Sequence, residues 1–120
     1  MLSYAGSCHC GAVTFTVTGD VTQLTTCNCS LCRKKNALMA RVHEDNFTMT
    51  ADWDTVSLYQ WNMKIAKHYF CKTCGIYTFH RKRSEPDHFG VNAQCLDGLD
   101  IAAVDVKAMD GISMSVTQQD

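Results

Sequence analysis

Clustered cysteines constrain this chain more than any other feature of its sequence. Eight of its 120 residues are cysteine, and seven of these lie in clusters with gaps of one or two residues. The clusters are Cys8-His9-Cys10, Cys27-Asn28-Cys29-Ser30-Leu31-Cys32 and Cys71-Lys72-Thr73-Cys74, and Cys95 stands apart. The first residues, Met1 to Ala5, have neither the basic nor the apolar segment of an export signal, so we expect a cytoplasmic protein. In that reducing compartment stable disulfides are rare, and clustered thiols favour metal binding.

Two of the clusters together predict a closed structural zinc site. In an extended segment Cys8 and Cys10 would face the same side, about 6.5 Å apart, and bind one ion together. Cys71 and Cys74 have the spacing of a zinc knuckle, and Gly75 can take the positive φ that such a turn often needs. Four thiolates complete a tetrahedral shell and leave no position for a substrate. We therefore expect this site to stabilise the fold.

The remaining cluster allows two interpretations. Cys27, Cys29 and Cys32 supply three thiolates within six residues, and three protein ligands plus an open position are typical of a catalytic zinc. Alternatively, the cluster is a second structural site that takes its fourth ligand from a distant residue. The candidates for that ligand are Cys95, His9, His43, His68, His80 and His88. Spacing alone does not decide between the two.

The pattern between the clusters predicts a mainly β protein. Val13, Phe15 and Val17 alternate with threonines, as in a half-buried strand. Further short segments rich in β-branched and aromatic residues follow at intervals of about ten residues, which favours antiparallel sheets. They are residues 21–26, 37–43, 47–50, 56–61, 65–70, 76–80, 89–93 and 112–116. Ser30 to Lys35 predicts one short helical turn, and no segment has a sustained 3.6-residue period. We expect a single domain over residues 1–120 with few or no helices.

Composition excludes several classes of function. The net charge is −1 and charged residues make up 19% of the chain, which disfavours nucleic-acid binding as the main activity. No apolar run approaches the roughly 18 residues needed to cross a bilayer, so no membrane partner is expected. The basic run Arg33-Lys34-Lys35 is either solvated surface or an electropositive rim that attracts an anionic substrate.

The motifs resemble those of one known family. The segments Gly6 to Phe15, Cys27 to Cys32 and Phe70 to Gly75 are similar to three motifs of the glutathione-dependent formaldehyde-activating enzymes, a family that includes centromere protein V. Gly90 to Asp97 is similar to a later segment of these proteins. The resemblance runs from about Ser3 to Leu99 and keeps all seven clustered cysteines in the family's order.

This resemblance implies a fold of several short coiled β-sheets with two zinc ions (Zn²⁺) per chain. By position, the structural zinc would be held by Cys8, Cys10, Cys71 and Cys74, and the catalytic zinc by Cys27, Cys29 and Cys32. The implied activity is that of a carbon–sulfur lyase, which condenses glutathione with formaldehyde to S-hydroxymethylglutathione. The alternative, from another functional class, is a non-catalytic zinc β-domain that binds a protein or a nucleic acid. The sequence does not predict the oligomeric state.

Overall fold

The computed structural model describes residues 2–27, 30–60, 67–82 and 85–109. Within these ranges the chain forms ten strands, one α-helix and four 3₁₀ turns. The strands are β1 (Ser3–Ser7), β2 (Thr14–Thr18), β3 (Gln23–Cys27), β4 (Met39–His43), β5 (Phe47–Met49), β6 (Val56–Tyr59), β7 (Lys67–Cys71), β8 (Tyr77–Arg81), β9 (His88–Asn92) and β10 (Asp105–Met109). The helix is α1 (Ser30–Lys35), and the 3₁₀ turns are Glu44–Asn46, Trp53–Thr55, Ala93–Cys95 and Ile101–Ala103. The predicted mainly β class and the short helix are confirmed.

The strands form two sheets. The small sheet has the order β1-β2-β5, and the large sheet has the order β10-β3-β4-β9-β8-β7-β6. Neighbouring strands in both sheets are antiparallel except for β10, which runs parallel to β3. The expectation of antiparallel sheets was therefore wrong for this one pair. Of the helices in the described ranges, none is long and apolar enough to span a membrane.

The core lies between the small sheet and one face of the large sheet. Phe15 and Val17 are each 1% exposed and alternate with half-buried threonines along β2, as predicted. The Phe15 ring lies 5.5 Å from the ring of Phe79 and 5.5 Å from that of Phe47. Phe47 in turn stacks on Phe89 at 4.2 Å. These rings come from both sheets, so their burial couples the two.

The opposite face of the large sheet carries histidine side chains in place of these apolar rings. Neighbouring residues in a strand point to opposite faces, so His80 faces away from the side on which Phe79 meets the small sheet. His80 pairs across the strands with His68 on β7 and with Gly90 on β9. Helix α1 lies over this second face, since Lys35 contacts His68. This second face of the large sheet is thus in contact with α1 through Lys35.

Two strands lie outside the sequence prediction. Strand β1 contains no β-branched residue, and strand β10 lies near the end of the chain, where the sequence instead predicted a strand at residues 112–116. That predicted segment lies outside the described residues. In the observed pairing Ala108 is opposite Thr26 and Met109 is opposite Cys27, so β10 brings the later part of the chain to the second cysteine cluster.

Candidate metal centre and cysteine-lined pocket

The first and third cysteine clusters come together in space. Cys8 and Cys10 follow β1, whereas Cys71 ends β7 and Cys74 lies in the turn before β8. All four sulfur atoms lie within 4.8 Å of one another, and the Sγ–Sγ distances from Cys10 to Cys8 and to Cys71 are both 3.6 Å. A tetrahedral zinc with Zn–S bonds of about 2.3 Å requires sulfurs about 3.8 Å apart. The four residues therefore fit a metal ion, and an all-sulfur set suits zinc.

The local backbone differs from the expected extended pair. Cys8 and Cys10 lie in a bend after β1, where the Cys8 N–H donates to the Val13 carbonyl at 3.1 Å. This bend brings the two sulfurs closer than the roughly 6.5 Å that separates i and i+2 in a strand. In the knuckle, Gly75 has φ +78°, which confirms the predicted left-handed turn.

Backbone N–H groups surround the sulfurs and favour the thiolate form. The N–H groups of Thr73 and Cys74 donate to Cys71 Sγ at 3.3 and 3.4 Å, and the Val13 N–H donates to Cys8 Sγ at 3.3 Å. The pKa of Cys71 is lowered mainly by the bond from Cys74. The pKa of Cys74 falls to about 6, first through the N–H of Ile76 and then through that of Cys10.

Cys10 behaves differently from its neighbours. Although the Ala12 N–H lowers the pKa of its thiol, desolvation and the contacts with Cys71 and Cys8 raise that pKa to about 11. Four thiolates this close repel one another unless a cation neutralises them. A divalent ion at their centre would remove this conflict, which is a second reason why the arrangement fits a metal.

Cys27 and Cys32 lie in the wall of one pocket, which has a volume of about 270 Å³. Strand β3 supplies Thr26 and Cys27, the helix and the residue after it supply Cys32, Arg33 and Asn36, and the remaining lining residues are Ala37, Leu38 and Ala108. The structure therefore brings together two of the three cysteines predicted for the catalytic zinc. The third, Cys29, lies outside the described residues.

Helix α1 determines how Cys32 is presented to the pocket. Asn36 ends the helix in a left-handed conformation with φ +51°, and its N–H donates to the Cys32 carbonyl at 3.0 Å. The basic residues in the last turn suit the negative end of the helix dipole. Arg33 and Asn36 line the pocket beside Cys32, and Arg33 is the cationic side chain among its described lining residues.

The predicted histidine ligands have different surroundings. His43 and His88 pack edge to face across two strands, and their ring nitrogens lie 3.4 Å and 2.8 Å from the carboxylate oxygens of Asp87. His68 and His80 are buried and stack with ring centroids 4.9 Å apart. His9 is exposed. Of the metal-type clusters within the described residues, the four-cysteine group contains none of these histidines.

Cys95 also lies outside the metal cluster. Its thiol is buried and donates to the Tyr77 carbonyl at 3.8 Å. Burial raises the pKa of Cys95 to about 11, with smaller contributions from Cys8 and Cys74. These properties are those of a small hydrophobic residue near the four-cysteine site, and no signal in its spacing distinguished it from a ligand.

Sequence reasoning missed the polar cluster under α1. Lys35 Nζ lies 3.3 Å from His68 Nδ1 and 4.0 Å from the centre of the Tyr77 ring, and the Tyr77 hydroxyl lies 2.5 Å from His80 Nδ1. Lys35, His68 and the Tyr77–His80 pair lie on three different elements, and only the adjacency of α1, β7 and β8 unites them. A lysine at the end of a predicted helical turn was the single local signal.

Two comparisons with known proteins agree with this arrangement. A family model described as glutathione-dependent formaldehyde-activating enzyme matches residues 3–109. The crystal structure of a Rhodobacter sphaeroides protein is similar, with 35% sequence identity and a TM-score of 0.77. The similarity covers 86% of this chain and 99% of the other.

Proposed function

The chain belongs to the family of glutathione-dependent formaldehyde-activating enzymes, and on that premise we propose that it adds a thiol to formaldehyde. The thiol is glutathione and the product is S-hydroxymethylglutathione, so the activity is formally that of a carbon–sulfur lyase working in the bond-forming direction. The observation that carries the proposal is the pocket that has both Cys27 and Cys32 in its wall.

We propose that the chain binds two zinc ions, one structural and one catalytic. Cys8, Cys10, Cys71 and Cys74 would hold the structural ion, because their four sulfurs complete a tetrahedral shell. Cys27, Cys29 and Cys32 would hold the catalytic ion beside the pocket. Zinc bound there would stabilise a substrate sulfur in its nucleophilic thiolate form.

The chain's own residues bind and orient the substrate. The guanidinium of Arg33 attracts a carboxylate of the thiol substrate, and Asn36 beside it offers a hydrogen-bonding amide. Ala37, Leu38 and Ala108 give the pocket an apolar part that excludes water from the reacting sulfur. At about 270 Å³ the pocket suits a small ligand, so formaldehyde and the cysteinyl part of glutathione fit it better than a bulky substrate.

The reaction balances without an oxidant or a reductant. The thiol loses a proton, its sulfur forms a bond to the carbonyl carbon of formaldehyde, and the carbonyl π bond becomes an alkoxide. A proton on that oxygen completes the product. The protein therefore accelerates the reaction by holding the two reactants in contact and in the correct orientation. No redox group is needed.

The cellular setting follows from the same chemistry. A site made of thiolates requires reduced cysteines, so we place the protein in the cytoplasm. Glutathione and formaldehyde are its proposed partners, and neither a membrane nor a nucleic acid is needed for the reaction.

Zinc content and turnover together test the proposal. We expect about two zinc ions in the parent and about one in Cys32→Ser, because one ligand set is broken while the other is intact. Formation of S-hydroxymethylglutathione, followed by NMR exchange spectroscopy, should be faster with the parent than without protein and should lose that acceleration in Cys32→Ser. Cys95→Ala is the matched control and should retain both properties. Two bound zinc ions with no acceleration would reject the reaction and favour a non-catalytic binding domain.

A further inference from the structure

Lys35 connects the helix beside the pocket to the large sheet. It is the last residue of α1, one turn after Cys32. Its Nζ atom lies 3.3 Å from His68 Nδ1 on β7 and 4.0 Å from the centre of the Tyr77 ring on β8. The side chain therefore makes a hydrogen bond and a cation–π contact with two strands of the same sheet.

The hydrogen bond defines the state of His68. A lysine ammonium group has donors and no acceptor, so His68 Nδ1 accepts the bond and cannot carry a proton. The ring is then neutral, with its proton on Nε2. A neutral ring is also the form that burial favours, and His68 is only 2% exposed.

The part of the sheet that Lys35 contacts is tightly packed around His68 and His80. His80 lies beside His68 across the strands, and the two rings stack with 29° between their planes. Burial lowers the pKa of His80 well below its ordinary value, with a further contribution from the charge of Lys35, so this ring is neutral as well. A Cβ atom at Gly90 would lie 2.3 Å from His80 Cε1, so only glycine allows the ring to lie there.

Helix α1 depends on such a contact for its position. It has six residues, whereas isolated helices shorter than roughly 12 residues are marginal in water. Cys32 and Asn36 face the pocket, and Lys35 lies on the flank of the helix that faces the sheet. Any tilt of the helix therefore moves the Cys32 thiol within the pocket wall.

We propose that Lys35 is a positioning residue for the cysteine-lined pocket, which it keeps in shape by holding α1 against His68 and Tyr77. It acts through the helix and touches neither the substrate nor the reacting atoms. The inference deepens the proposed function, since it names a determinant of the same pocket and rests on Cys32 belonging to the reacting site.

We call the contact of Lys35 with His68 and Tyr77 the tether. Hydrogen exchange tests whether this tether holds α1 in place, without reference to activity. The readout is the amide of Asn36, whose N–H bonds to the Cys32 carbonyl and reports opening of the helix. We expect Lys35→Met to speed exchange of this amide by about tenfold or more, because one hydrogen bond and one cation–π contact are lost. Lys34→Met, on the same helix, is the matched control and should exchange like the parent. Lys35→Arg keeps the charge and the donors and should restore most of the protection.

A second readout links the tether to the metal site. Displacing a residue that orients a ligand typically weakens metal binding by about 10- to 100-fold. In Lys35→Met we expect weakening of this size for the more weakly bound zinc in chelator competition, with the tightly bound zinc unchanged. In Co²⁺-substituted protein the absorption bands of the three-thiolate site should also shift. Lys35→Arg should recover the parental affinity and spectrum.

The outcomes separate the two proposals. Exchange at Asn36 in Lys35→Met within about twofold of the parent would overturn the positioning role, whatever the activity. A parent that binds one zinc and does not accelerate the reaction would overturn the proposed function, while the exchange experiment would still test the tether. Should Lys35→Met not fold, Tyr77→Leu removes the ring contact and Tyr77→Phe keeps it. Faster exchange in the leucine variant alone supports the tether, and equal exchange in both rejects it.

Discussion

The Sγ atoms of Cys10 and Cys71 lie 3.6 Å apart, although 61 positions separate these residues in the chain. Cys10 follows the first strand of the small sheet, whereas Cys71 ends a strand of the large sheet. A metal ion bound between them would cross-link the two sheets beside their shared core. Such an ion stabilises the folded state because the unfolded chain has no preformed site.

Cys71→Ser should therefore lose the structural metal and much of the stability. Structural zinc binding contributes on the order of 10 kcal/mol, so we expect the free energy of unfolding to fall by about 5 kcal/mol or more. Zinc analysis and urea unfolding measure the two effects. Cys95→Ala is the control and should keep the zinc at a cost of about 1 kcal/mol. Parental zinc content in Cys71→Ser would contradict the four-cysteine site.

Arg33→Met tests the proposed recognition of a carboxylate. Removing the guanidinium should lower kcat/KM for glutathione by roughly 10- to 100-fold, because a charge-assisted hydrogen bond is worth about 1.5–3 kcal/mol. A neutral thiol such as β-mercaptoethanol should lose much less. Lys34→Met keeps the pocket lining and should match the parent with both thiols. Equal losses of kcat/KM for the two thiols in Arg33→Met would mean that the arginine does not bind the carboxylate of glutathione.

Ala108→Phe tests whether β10 forms a wall of the pocket. The larger side chain should fill part of the roughly 270 Å³ cavity and raise the KM for glutathione several-fold. Neighbouring strand residues face opposite sides, so Lys107→Phe adds the same ring outside the pocket and serves as the control. Steady-state kinetics of the two variants give the comparison. Identical KM values would show that β10 does not restrict the space available to the substrate.

His80 should make stability depend on pH below neutrality. Burial lowers its pKa in the folded state, and the positive charges of Lys35 and Lys82 lower it further. Below the unfolded pKa of about 6.5, the unfolded chain takes up a proton that the folded chain does not, so stability falls as the pH falls. Above that pH, His80 contributes no pH dependence.

Urea unfolding from pH 7.5 to 5 in excess zinc measures this effect. Relative to His80→Gln, the parent should lose additional stability below pH 6.5, up to about 1.4 kcal/mol per pH unit. The slopes are compared rather than the absolute values, because the variant also loses the bond to Tyr77. The same slope in both proteins would mean that His80 titrates normally in the folded state.

Local patterns in the sequence were sufficient for several elements. The alternation of Phe15 and Val17 with threonines has the two-residue period of a strand. This period can be recognised within a few consecutive residues. Ser30–Lys35 forms the predicted short helix, and Gly75 has the predicted positive φ. In each case the cause is a preference of a few neighbouring residues.

Strands β1 and β10 required the tertiary structure. The residues of β1 have little intrinsic preference for a strand, and pairing with β2 over five residues holds them extended. Strand β10 pairs in parallel with β3, a partner about eighty positions earlier that no local window includes. Its consequence, Ala108 in the pocket wall, was equally absent from the sequence prediction.

The sequence by itself determined which residues can bind metal, because the spacing of thiols in Cys8–Cys10 and Cys71–Cys74 is a local property. The sequence also predicted that the two pairs share one site, but only the tertiary structure set the distances between their sulfurs, since that convergence depends on two sheets packing together. The tertiary structure alone likewise joined Lys35 to His68 and Tyr77. The physical reason is the same in both cases: ligand chemistry resides in individual side chains, whereas their distances are set by strand pairing and core packing across the whole chain.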